Sequence, residues 1–192
     1  MLTATYSLVA IAAEQDMARG VLQRLRQGIQ NMWHGLQKVE FAFLEAAFDK
    51  LFQFDYFCHH RKLDLYVIPV LRRVTHEADA LLEQLESLRE SGLVVLHTAK
   101  ERLVATFEVG TLHAHEAVHA MELFLENMRT RLKREEEELF PMLRRLLSVE
   151  DWFAIAAQFL EEDCGGYGKG RRHDRAIARR QAVNALGSLS LH

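Results

Sequence analysis

Proline is nearly missing from this chain, whose 192 residues contain only Pro69 and Pro141. That scarcity excludes polyproline segments and proline-rich linkers, and it leaves long stretches free to run as helix. Cysteine is as scarce. Cys58 and Cys164 form no CxxC pair, which excludes zinc ribbons, thioredoxin-type redox motifs and disulfide-stapled scaffolds, so both thiols read as structural. An excess of charge is lacking too: 24 Lys+Arg against 27 Asp+Glu give a net charge of -3, with no global pull toward nucleic acid or an acidic membrane. The opening segment, Met1 to Ala13, is apolar but has no Lys or Arg and runs into Glu14-Gln15-Asp16. It is too short to span a bilayer and unlike a secretory leader, so a cytoplasmic protein with no membrane association is expected. Nucleophile triads and phosphate loops are absent as well. The run Gly165-Gly166-Tyr167-Gly168-Lys169-Gly170 resembles a phosphate cradle only superficially, because no strand precedes it.

What the chain does have is apolar residues in helical phase. Leu8, Ile11, Ala12, Ala18, Leu22, Leu25 and Ile29 predict an amphipathic helix over about residues 5 to 31. A second stripe, Leu44, Phe48, Leu51, Phe52, His59, Leu63, Tyr66 and Val70, predicts another helix that Pro69 bends or ends. A third begins near Thr75, with Gly92 interrupting it before a further run through Phe107. The fourth carries Val118, Met121, Phe124, Leu125, Met128, Leu132 and Leu139 and ends between Pro141 and Leu147. Long helices with short connections predict an all-α, antiparallel four-helix bundle over residues 1–147. Ser148 with Asp151 is a capping signal for a short packing helix within 148–163, and a glycine-rich joint with a basic helix completes the chain over 164–192.

Two stretches carry a family resemblance. Cys58-His59-His60-Arg61-Lys62-Leu63-Asp64-Leu65-Tyr66-Val67-Ile68-Pro69 is similar to the His-His-x-x-Glu-Asp run, with its following apolar pair and proline, of the hemerythrin-like, cation-binding (HHE) family. Arg131-Leu132-Lys133-Arg134-Glu135-Glu136-Glu137-Glu138-Leu139-Phe140-Pro141 resembles that family's His-x-x-x-Glu-Glu-Glu-x-Leu-Phe-Pro run. The resemblance covers about residues 5 to 160 and implies a bundle holding two non-haem irons between histidines and carboxylates from four helices. By the same resemblance His59 and Glu135 match metal ligands, whereas Gln15, Leu63, Arg89 and Arg131 stand where ligands are expected. Two inward side chains cannot hold a pair of irons, so no cofactor is expected at full occupancy, and iron is the metal if one binds.

A shifted metal site has to be weighed against that loss. His60 and Asp64 keep an i, i+4 histidine–carboxylate pair about 100° around the helix, and the bland alternative is a solvent-facing pair flanked by Arg61 and Lys62. His113, His115 and His119 cluster off the apolar stripe and read as a wet face, while His34, His76, His97 and His173 stand alone. The methionines and phenylalanines read as core in preference to a haem pocket. Arg171, Arg172, Arg175, Arg179 and Arg180 make the C-terminal helix basic; docking on acidic surface such as Glu135 to Glu138 is the simpler reading, and nucleic acid lacks a supporting motif. Two functions remain: a non-catalytic binding or regulatory bundle working through a homodimer or a protein partner, or a metal-dependent bundle that binds or senses oxygen, nitric oxide or iron.

Overall fold

A computed structural model describes residues 2–33, 40–105 and 111–164. Among them every regular element is helical: α1 (Leu2–Trp33), α2 (Phe41–His59), a π-helical turn π1 (Leu63–Val67), α3 (Ile68–Val74), α4 (Asp79–Ala105), α5 (Thr111–Arg134), a second π turn π2 (Glu135–Leu139), α6 (Phe140–Leu146) and α7 (Val149–Cys164). The long helices α1, α2, α4 and α5 pack on one another, and α7 lies against α1 and π1. No described helix is long and apolar enough to cross a membrane. The C-terminal joint and basic helix, His34 and His173 lie outside the described residues.

The first predicted helix is present, but the second and third differ from the periodicity. The second stops at His59, ten residues before Pro69, and the chain passes through His60 and Arg61 before resuming. Glu14 helps fix that break: its Oε2 accepts from the Lys62 backbone N–H at 2.6 Å. Pro69 and Pro141 then explain the two π turns. A proline has no N–H and its ring clashes with the carbonyl four residues back, and a π turn absorbs this by closing wider rings before it. The Ile68 N–H reaches Leu63 O and the Phe140 N–H reaches Glu135 O, each an i to i−5 bond.

The third helix starts at Asp79, since Thr75 caps the end of α3 and its Oγ1 accepts from the Glu77 N–H. It also runs straight through Gly92. The glycine serves packing there, because a Cβ would lie 3.2 Å from Phe124 Cδ2 and 3.5 Å from its Cα, so its bareness lets α4 and α5 approach closely. The predicted cap at Ser148 is present: its Oγ accepts from the Asp151 N–H at 3.1 Å, and Asp151 Oδ2 accepts from the Ser148 N–H at 3.0 Å.

Two apolar clusters form the core. One gathers Ala18 to Met32 of α1 with Phe48, Phe54, Cys58, Leu96, Phe124 and Leu132. The other gathers Ile11 with Leu63, Leu71, Leu85, Leu139, Leu143, Trp152 and Phe159. The boundary falls at one level in every long strand of chain: between Ile11 and Ala18, Cys58 and Leu63, Leu85 and Leu96, and Leu132 and Leu139.

Candidate functional site: a buried arginine–carboxylate layer

That boundary is filled by polar side chains. Gln15, Asp55, Arg61, Arg131 and Glu135 are all buried, and the Asp64 side chain is only 7% exposed. Arg61 is the centre of the layer and, at 1% exposure, the largest fully buried side chain of the described chain. Its Nε donates to Cys58 O at 3.0 Å, Nη1 to Gln15 Oε1 at 2.5 Å, and Nη2 to both Glu135 Oε1 at 2.9 Å and Asp64 Oδ2 at 3.1 Å. Arg131 closes the circuit from the opposite side, donating from Nε to Glu135 Oε1 at 3.0 Å and from Nη2 to Asp64 Oδ1 at 2.7 Å. Gln15 is fixed in turn, with its Nε2 donating to Leu132 O at 2.9 Å. A second pair stands beside this quartet, where Arg89 grips both oxygens of Asp55 at 2.7 and 2.9 Å.

The local chain explains the geometry. Asp64 and Glu135 each lie in a π turn, and Arg61 keeps the buried phase of α2 past the break at His60. Two guanidinium groups and two carboxylates sum to zero charge, which makes burial of all four tolerable. Burial opposes ionisation of Glu135 most strongly, yet Arg61 and Arg131 outweigh it and hold its carboxyl below the usual range. Burial pushes the neighbouring Cys58 thiol up to about 12, with Arg61 pulling weakly the other way. One donor and one acceptor are left over: Arg131 Nη1 and Glu135 Oε2 are buried without a hydrogen-bond partner.

The structure brings together Gln15, Asp64, Arg131 and Glu135 of the residues singled out from sequence, and it sets Arg89 on Asp55 alongside. Leu63 is buried in the apolar cluster below. His59 is a correction: expected to point inward as a matched ligand, it is exposed, because Cys58 takes the core position. His60 does not form a pair with Asp64 either. It stacks on Tyr56 at 3.8 Å and its Nδ1 bonds Tyr56 O, whereas Asp64 turns inward to the arginines. The alternative of a solvent-facing His60–Asp64 pair fails as well, since the Asp64 side chain is 7% exposed and the flanking Arg61 and Lys62 are buried. His115 and His119 are on the wet face as expected.

Arg61 was missed, and a signal existed. Leu51, Phe54, Cys58 and Arg61 follow at steps of three and four, so continuing the phase through Cys58 instead of His59 places Arg61 inside. The residues present do not fit a pair of irons: the layer offers three carboxylates, Asp55, Asp64 and Glu135, and no imidazole, and all three are already bonded to guanidinium groups. Among the described residues no group of three or more His, Cys, Asp and Glu is arranged to hold a metal ion. Comparison with protein-family models, curated proteins and solved structures finds no match for this chain.

Proposed function

We propose that this chain is a hemerythrin-like antiparallel four-helix bundle in which a salt-bridged quartet stands at the level of the family's metal centre, and that it acts as a non-catalytic binding or regulatory protein. The observation that carries the reading is the pair of buried arginines, Arg61 and Arg131, bonded to Asp64 and Glu135. A guanidinium is a permanent cation whose planar donors match carboxylates, so it supplies the counter-charge that a metal would. A divalent ion entering this layer would meet two fixed positive charges. The guanidinium groups and carboxylates of the layer bond one another in the core, which supports a scaffold role with the function at the surface.

Metal analysis of protein expressed in iron-supplemented medium tests the reading. The expected outcome is a colourless protein with iron far below one per chain; about two irons per chain would overturn it and favour oxygen, nitric oxide or iron sensing.

A further inference from the structure

Helix α7 presents a second apolar face that its packing does not use. Trp152, Ile155, Ala156 and Phe159 point into the core. Val149, Phe153 and Leu160 do not: they are 59%, 62% and 51% exposed, and with Ala157 they recur at steps of four, four and three, the spacing of a helix-docking seam. Glu150 and Glu161 lie along one edge of that seam. The whole of α7 carries five acidic residues, Glu150, Asp151, Glu161, Glu162 and Asp163, and no basic one.

The charge pattern decides what covers the seam. A second copy of α7 would be repelled, since antiparallel pairing sets Glu150 against Glu161 and pairing in either direction brings together two helices that each carry five acids and no base. The chain beyond α7 has the opposite sign, with Arg171, Arg172, Arg175, Arg179 and Arg180 and the apolar Val183 and Leu186 three residues apart. Residues 171–186 also number sixteen, as does α7. The joint at 165–170 contains four glycines, and six residues reach up to about 20 Å, twice the roughly 10 Å between packed helix axes.

We infer that the basic C-terminal segment, residues 171–186, folds back along α7 and covers the Val149–Phe153–Leu160 seam. The inference is independent of the buried polar layer. Hydrogen exchange of the full chain tests it, comparing the unaltered protein with the double variant Phe153→Lys, Leu160→Lys and with Val94→Lys, an exposed apolar position on α4. Peptides from 171–186 should exchange at least about tenfold faster in the double variant and unchanged in Val94→Lys. Arg175→Glu with Arg179→Glu should loosen the segment likewise, and adding Glu150→Arg with Glu161→Arg should restore protection. Equal exchange of 171–186 in all forms would overturn the inference. So would sedimentation showing a dimer that the seam variant dissociates while exchange of 171–186 stays the same, since a second copy would then be the occupant.

Discussion

Arg61 donates four hydrogen bonds from a site that is almost fully buried, and this makes single substitutions in the layer far more damaging than their surface counterparts. Arg61→Ala, Arg131→Ala and Glu135→Ala should each cost about 3 to 5 kcal/mol in denaturant unfolding, because each leaves one uncompensated charge in a buried quartet that is neutral only as a whole. Arg134→Ala removes an exposed i, i+4 pair with Glu138 and should cost only about 0.3 to 0.5 kcal/mol. The pH response follows from Glu135. Its folded-state pKa is held below the value of 4.5 that it has when unfolded, so its contribution is fully present above that value and is lost as pH falls through the lower, folded one. Acid titration of stability should therefore steepen below about pH 4.5, and Glu135→Gln should flatten that limb. Cys58 gives an independent readout: buried and raised to about 12, it should react with a thiol reagent near neutral pH only as fast as the chain opens, measured in a Cys164→Ser background.

At the scale of elements, glycine chemistry separates two positions inside helices, Gly20 of α1 and Gly92 of α4. Gly20 has only Arg24 Nη1 near a built Cβ, at 3.7 Å, an ordinary contact, whereas Gly92 meets the buried Phe124 at 3.2 Å. Gly20→Ala should stabilise by about 0.5 to 1 kcal/mol through helix propensity, and Gly92→Ala should fail to deliver that gain because Phe124 has no room to retreat. Thermal melts of the two variants check the contrast. The existence and order of the long helices were legible in sequence, since apolar residues at steps of three and four mark a buried face wherever the helix is regular. What was not legible was the break at His60. Periodicity carries no instruction to stop when neither proline nor glycine stands at the position, and the stop depends on Glu14, 48 positions away in sequence. Within α2 itself the inward phase runs through Leu51, Phe54 and Cys58 toward Arg61 and not through His59, so the second helix's contribution to the site was misplaced. Gln15, Arg131 and Glu135 lie in the buried layer on helices that are unbroken up to it.

For the molecule as a whole, the layer divides one apolar cluster from the other. Its net neutrality means that the charges contribute less to stability than to fixing which levels of the helices meet. A sliding helix would leave a guanidinium or a carboxylate in hydrocarbon. Replacing the quartet together, by Arg61→Met, Asp64→Leu, Arg131→Leu and Glu135→Leu, should leave stability unchanged or raise it by about 1 to 4 kcal/mol. The loss should appear instead as broadened amide spectra from several competing registers, and sharp, single resonances in this variant would assign register to apolar packing alone.

The doubled arginines also constrain how this protein can change. Exchanging Arg131 alone for histidine leaves Arg61 seated between Asp64 and Glu135, where it repels an incoming cation. Exchanging Arg61 alone strips Gln15 and Cys58 O of their donor and leaves Arg131 holding the same two carboxylates. Each single step forfeits a buried partner before any ligand can replace it, so the quartet and a metal centre are separated by a valley that no one substitution crosses. The layer works as a ratchet: once two arginines share two carboxylates, the arrangement resists piecemeal conversion into a metal site.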